Sequence, residues 1–387
     1  MAAELWEGVG QIENAVQSYI EGDLWERART CVQQMKSGEA SKRLMDYIEK
    51  NYKGYLKKEN KAEELLQQGD VQGLDMFVER GDWMSALEGA KAQGAEVLNR
   101  YLMRYAKETM ESGRFGDTVT AFAQYGIQAV AQNYPIYKTL VLEIFADCDQ
   151  AEIQKLRTTL MQFMKLVEQR GEQNTSVGKE FARYLTIAHL QNLCNLYQKK
   201  GMVQLFAQNA LSLLRYCDLL RLDKVFYNAG VACKKANNLT MAFLVLNRYL
   251  DIYEVIEDPD NNGNLAEQGE FQFTDVPNLF DVPLPEANLV SEQDKQNLGD
   301  WLLQISIDQK VPKQLPLKSC EACSSKIWDH ALQCPSCKTK QDSCILTGRP
   351  LKNAVQCNSC GKHGIKECWQ EYLQNFASCP WCGNPPN

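Results

Sequence analysis

Apolar side chains recur at i, i+3, i+4 and i+7 through the first 250 residues, broken by short polar stretches such as EGD, ERGD, ESGRF and KANN. That period predicts helices joined by tight turns, and no segment there alternates as a strand would. The same offsets return at intervals. Around Ala242 the pattern sets Phe226, Ala229, Gly230 and Cys233 on one helix and Ala242, Leu246 and Tyr249 on the next, with Asn237 and Asn238 at the turn. Around Ala28 it gives Ile12, Ala15, Val16 and Tyr19, then Ala28, Val32 and Met35, with Gly22 and Asp23 between them. Around Ala86 it recurs less completely in Leu74, Phe77, Ala86 and Ala90, with Gly81 and Asp82 between the helices.

Small residues at fixed sites let paired helices approach closely, and large ones fill the gap between pairs. The pattern resembles a tetratricopeptide-type array, which implies a mainly α chain built as a helical solenoid over residues 1–254. Residues 120 to 200 do not register cleanly, so an irregular helical domain stays open as the alternative. No Gly-rich phosphate loop, acid–base pair or partnered nucleophile occurs in this half.

From Asp251 to Asp294 there is no Lys or Arg, and Pro, Asn and acidic residues accumulate. This acidic, Pro-rich connector, residues 255–317, carries Phe271, Phe273, Val276, Leu279, Phe280, Val282 and Leu284, too many apolar side chains for a solvated linker. It either packs back along the helices or docks on another protein. A short helix capped at Ser291 follows, with Leu298, Trp301, Leu302 and Ile305 on one face.

Charge and composition narrow the function classes. A net charge of −7 and 24% charged residues argue against broad attraction to phosphate backbones or anionic lipid, and no apolar run is long enough to span a membrane. The start has no leader pattern. Cysteine divides the chain more sharply: Cys31, Cys148, Cys194, Cys217 and Cys233 are scattered as core thiols, whereas ten of fifteen fall in the last 68 residues. Eight of those ten form C-x2-C pairs, which without a secretory leader read as metal ligands in a reducing compartment.

Cys320, Cys323, Cys334 and Cys337 form C-x2-C-x10-C-x2-C, the spacing of a structural zinc ribbon over residues 318–340. Cys357, Cys360, Cys379 and Cys382 form a second set, and two successive four-thiolate sites fit the spacing better than one interleaved cross-brace. Cys344, His363 and Cys368 are left without a fourth partner. A nucleic-acid role for the ribbon is weak, because eight basic and five acidic residues between Lys318 and Asn387 leave a local charge of only +3.

The order CILTGRPL, CWQEYL, CPWC from Cys344 to Cys382 resembles the elements of RING and U-box domains, with Thr347 and Ile365 where metal-binding thiols would stand. This resemblance implies a U-box/RING-like α+β module over residues 341–387. The whole arrangement of helical repeats, acidic connector, zinc ribbon and U-box-like end resembles the C-terminal segment of the largest subunit of the intraflagellar transport B complex, a ciliary scaffold. That resemblance implies a fragment, in keeping with a helical array that starts near residue 5 without a clear cap. It further implies a place in cytoplasm and cilium, including the basal body, with other transport subunits as partners. The RING and U-box likeness implies a shallow groove for ubiquitin or a ubiquitin-conjugating enzyme, formed by Leu346, Trp369 and Pro380 with Ile345 and Trp381 nearby. No basic residue follows Cys382, which implies binding, or at most weak ligase activity. The alternative is a purely structural docking module with zinc and no ubiquitin role, in which those side chains are core. Because the stretch from Asp251 to Asp294 has no positive charge and several prolines, the solenoid is expected to melt separately from the zinc module.

Overall fold

The computed structural model describes residues 2–35, 38–147, 150–260, 263–308 and 311–385. Contacts divide the chain into two compact units, Met1–Glu108 and Thr109–Asn387. Among the described residues no helix is long and apolar enough to cross a membrane.

The first unit consists of α1 (Ala2–Gly8), α2 (Ile12–Glu21), α3 (Trp25–Gln33), α4 (Glu39–Lys58), α5 (Ala62–Gln67), α6 (Gln72–Glu79), α7 (Trp83–Gln93) and most of α8 (Ala95–Glu111). From α1 to α7 each helix packs on its sequence neighbours, as a repeat array requires. Ala15, Val16, Tyr19, Ala28 and Val32 are buried together, and the α2–α3 turn is closed by Asp23 in the left-handed region at φ 56°. Ala86, Ala90, Leu74 and Phe77 are likewise buried, and Gly81 supplies the positive φ between α6 and α7.

The second unit opens with α9 (Phe115–Tyr125), α10 (Tyr134–Ala146), α11 (Gln150–Gln169), α12 (Ser176–Lys200), α13 (Val203–Leu213), α14 (Leu222–Lys235) and α15 (Leu239–Glu257). Residues 120–200 register poorly in part because α12 runs 25 residues, longer than the 20-residue α4 that is the longest helix of the first unit. The α14–α15 hairpin is the most regular. Asn237 closes its turn at φ 56°, and Phe226, Ala229, Cys233, Ala242, Leu246 and Tyr249 are all buried. Gly230 lies directly under Leu246: a Cβ built there would meet two Leu246 carbons at 2.4 Å. In an exposed helix Gly→Ala gains up to ~1 kcal/mol. Here Gly230→Ala should instead destabilise by ~1–3 kcal/mol, because Leu246 is fully buried and cannot yield. A rise in melting temperature would show that the hairpin is not so closely packed.

The connector packs back on the helices. It forms α16 (Gly263–Ala266) and two 3-10 turns, and buries Phe271, Val276, Leu279 and Val282, with the Phe271 ring 5.9 Å from that of Phe226. Phe273 and Leu284 are half-buried and Phe280 is exposed. Polar contacts anchor it as well: Arg248 donates to the carbonyls of Leu265 and Glu267, Arg221 to that of Ala287, and Asn288 to that of Tyr253. Next comes α17 (Glu292–Asp308), whose N-cap is Ser291, its hydroxyl accepting from the Asp294 N–H. Leu298, Leu302 and Ile305 are buried, and Lys234 stands 4.1 Å from the Trp301 ring.

The rest is small: β1 (Leu317–Ser319) pairs antiparallel with β2 (Lys326–Trp328), β3 (Ala354–Gln356) with β4 (His363–Ile365), and α18 (Lys366–Leu373) follows. Cys31, Cys194, Cys217 and Cys233 are buried, as core thiols should be. Cys148 lies outside the described residues. The expectation of a zinc module that melts apart from the helices does not fit this packing, since residues Thr109–Asn387 form one compact unit. The connector is an ordered seam with its own buried side chains, not a hinge.

Candidate metal centres

Five turns of one geometry carry the terminal segment. In each, a cysteine N–H donates to the carbonyl five residues on, and the fourth residue on donates back to the cysteine carbonyl. Cys320 is paired in this way with Ser325 and Ser324, Cys334 with Thr339 and Lys338, Cys357 with Lys362 and Gly361, and Cys379 with Asn384 and Gly383. The fifth turn is Cys344 with Arg349 and Gly348. The returning residue has positive φ every time: 60° at Ser324, 61° at Lys338, 67° at Gly348, 68° at Gly361 and 79° at Gly383. In the turns of Cys320, Cys357 and Cys379 the N–H groups two and three residues on point at the cysteine sulfur.

Four of the turns close two tetrahedra. Cys320, Cys323, Cys334 and Cys337 form one group, and Cys357, Cys360, Cys379 and Cys382 the other, with all sulfurs of a group within 4.8 Å of one another. The sulfur pairs Cys320–Cys337 and Cys323–Cys334 are 3.7 Å apart, and Cys357–Cys382 and Cys360–Cys379 are 3.9 Å apart. Four thiolates at about 2.3 Å from one zinc stand about 3.8 Å apart along a tetrahedral edge, so both groups fit that ion. The surroundings pull these thiols in both directions: burial pushes Cys360 and Cys379 up, while others are held down. The Thr339 hydroxyl and backbone N–H, with help from Cys323, bring Cys337 down to about 6. Burial works against ionisation at Cys357, but the N–H groups of Cys360 and Ser359 and the neighbouring thiols outweigh it and bring it to about 7. Four protein ligands leave no open position, so a metal here would be structural.

The fifth turn has no such set. Thr347 stands where the second thiol would be and is fully buried. Cys344 accepts the Ile365 N–H at 3.3 Å, and Cys368 approaches Gln208 at 3.7 Å. The hydrogen bond from Cys368 holds the Cys344 thiol down to about 6, while Cys368 itself is pushed up. His363 is exposed on β4 and does not point into a ligand set.

The face of this module that the sequence assigns to a partner is covered by the chain itself. Leu346 is 0% exposed, Trp369 3% and Ile345 8%, all in one core with Leu193 and Tyr197 of α12 and Met202 and Leu205 beside and on α13. Pro380 and Trp381 are half-buried. Leu346, Ile345 and Trp369 therefore pack against the helices in this arrangement, a difference from the open groove that the resemblance implies. The physical reason is that an apolar stripe meant for a partner and one meant for a neighbouring helix look alike in sequence.

Polar groups on the helices fix the same face, and their partners are backbone carbonyls. Tyr197 donates to Leu346 O at 2.9 Å. Arg157 donates through one nitrogen to Pro380 O at 2.6 Å and Trp381 O at 2.9 Å, and through Nε to His189 Nδ1 at 3.0 Å. Since Nδ1 accepts, the His189 proton sits on Nε2 and is donated to Ile345 O at 2.8 Å. Arg215 donates to Gly348 O and His330 O, each at 2.7 Å, and lies 3.4 Å from Asp275 of the connector, which accepts the Leu332 N–H. Sequence reasoning missed these four residues because carbonyl partners leave no side-chain signature. One trace exists: His189 sits between Leu185 and Leu193 on the buried stripe of α12.

Burial, and secondarily the Arg157 and Lys362 cations, push His189 down to about 3. In the unfolded chain a histidine titrates near ~6.5, so the unfolded state binds the extra proton first. Stability from neutral His189 is complete above that value and should be lost as pH falls from ~6.5 toward 3, by up to ~1.4 kcal/mol per pH unit. An NMR titration that finds the folded-state imidazole protonating near pH 6 would contradict the buried tautomer.

Fold and site together define a helical-repeat protein segment that ends in a cysteine-rich module with two metal-compatible centres, docked on its own helices. No family model matches the chain. It is similar over its whole length to curated intraflagellar transport proteins. It is 28% identical over 400 residues to Intraflagellar transport protein 172 of Chlamydomonas reinhardtii and 30% identical over 407 residues to the homolog of that protein in Homo sapiens. It is 28% identical over 360 residues to Intraflagellar transport protein osm-1 of Caenorhabditis elegans. These matches cover 99%, 100% and 90% of this chain but only 22%, 22% and 20% of the relatives. The chain spans about a fifth of the length of the curated relatives it matches.

Proposed function

We propose that the chain is a scaffold segment of the ciliary intraflagellar transport machinery, in which a tetratricopeptide-like array carries a zinc ribbon and a U-box/RING-like end as a structural docking unit for other transport subunits. The similarity along the whole chain to intraflagellar transport proteins carries this reading. The two four-thiol groups, which leave no open position on a bound ion, would supply zinc-dependent stability rather than chemistry. The protein that contains this chain, tagged at its own locus, should localise to the cilium and basal body and move along the cilium in both directions. A tag that stays out of cilia in cells with normal cilia would count against it.

The ubiquitin reading is a second proposal, supported by the order of elements from Cys344 to Cys382. With Leu346 fully buried, engagement of that groove by ubiquitin or a conjugating enzyme requires the module to leave α12. Titrating ubiquitin, and separately a ubiquitin-charged conjugating enzyme, into the folded chain should give no saturable binding at this face. Binding that is abolished by charged substitutions at Leu346 and Pro380 without loss of zinc or stability would restore the open groove.

A further inference from the structure

A cavity of about 380 Å³ lies in the second unit between α11, α12, α13 and α14, and none of its lining residues belongs to either four-cysteine group. Its floor is apolar, made by Ile153, Cys194, Phe206, Leu213 and Val231 among others. Its walls are polar at regular spacing. Gln191, Asn195 and Gln198 follow one another along α12 at steps of four and three, while Lys224, Asn228 and Lys235 lie along one face of α14. These are the spacings that hold side chains on one face of a helix.

The polar groups are not spent on the fold. Asn195, Gln198, Asn228 and Lys235 have no side-chain partner among the described residues, and the Gln191 Oε1 atom is buried with none. A buried amide oxygen without a partner is destabilising, which a ligand N–H would offset. No acidic residue lines the cavity among the described residues, whereas Arg221, Lys224 and Lys235 do, in a chain whose net charge is −7. Arg221 is already held by Asp223, and Lys224 faces the exposed Asp147 at 3.9 Å, which leaves Lys235, among the described residues, as the lining cation without an ion-pair partner. None of the lining residues comes from the acidic connector, so the chain does not fill the cavity with its own acidic segment.

We infer that this cavity binds an extended acidic peptide segment of a partner protein. Amide side chains both donate and accept, so a row of them matches the alternating N–H and C=O groups of an extended backbone. Lysines beside the row select carboxylates, and the apolar floor takes intervening side chains. Lys224 to Lys235 spans roughly 16 Å of helix, the reach of about five extended residues. The inference stands on this geometry alone and does not depend on the ciliary reading.

The test is fluorescence anisotropy on the full chain with a labelled dodecapeptide that alternates Glu and Leu around a central Pro, beside twins with Gln or Lys in place of Glu. The acidic peptide should bind saturably, the Gln twin more weakly and the Lys twin not at all. The variant Asn228→Ala/Lys235→Glu changes two exposed side chains, so its melting temperature should match the parent, and its affinity for the acidic peptide should fall by about tenfold or more. A second variant, Asn195→Ala/Gln198→Ala, keeps the charge and should weaken the acidic peptide and the Gln twin alike. No saturable binding, an acidic peptide bound no tighter than its Gln twin, or an Asn228→Ala/Lys235→Glu chain that binds as well as the parent would overturn the inference.

Discussion

Chelation of the two four-cysteine centres should unfold helices of the second unit as well as the knuckles. Zinc in small structural sites contributes ~10–16 kcal/mol, as much as the whole ~5–15 kcal/mol stability of an ordinary domain. Without metal the knuckle turns have little else to hold them. Once they open, Leu193, Tyr197, Met202 and Leu205 lose the core they share with Leu346, Trp369 and Tyr372. About two zinc ions per chain should be released, and the loss of far-UV helical signal should exceed what the eight residues of α18 can supply. Release of one zinc or three would mean that one four-thiol set is not a site or that the Cys344 turn is. Loss confined to α18 would mean that the helices stand alone.

Arg215→Ala should be the most damaging single substitution outside the cysteines. The guanidinium is 6% exposed and Asp275 is 9% exposed. Removing the cation strands a buried carboxylate and, beside it, the carbonyls of Gly348 and His330. Breaking one side of a buried ion pair costs ~3–5 kcal/mol. Arg215→Lys should recover little, because one ammonium cannot reach both carbonyls and Asp275 with the fork that a guanidinium provides. Tyr197→Phe removes only the bond to Leu346 O and should cost ~1 kcal/mol. Denaturant midpoints of the three variants measure this ordering. Equal, small shifts in all three would mean that these contacts do not join the parts of the second unit.

The helical hairpins could be read from sequence because small residues such as Ala15, Ala28, Gly230 and Ala242 must sit where backbones approach, and because Asp23 and Asn237 mark their turns. The connector could be read as more than a solvated linker because of Phe271, Val276, Leu279 and Val282, but those side chains suit a docking motif as well as packing on the helices, and only the fold shows them buried. The cysteines named their own partners through spacing. What could not be read was the direction in which the terminal module faces. Leu346 and Trp369 are as suited to a partner as to α12, and the side chains that settle the matter, Arg157, His189, Tyr197 and Arg215, act on carbonyls that every residue possesses. Gly348 held a further clue of the same kind. Its positive φ is common to all five turns, but its Cα is also pressed to the end of α13, where a Cβ would meet Ser212 at 2.8 Å.

Hydrogen exchange resolved by segment, on the metal-loaded chain and again after chelation, tests most directly whether the module is docked by its apolar face. Amides of Cys344–Gly348 and of the His189–Tyr197 stretch of α12 should both be protected in the loaded chain, and both should lose protection together when the metal is removed. Loss of protection around Cys344–Gly348 with α12 unchanged would contradict the docked arrangement and leave the Leu346 face open to a partner.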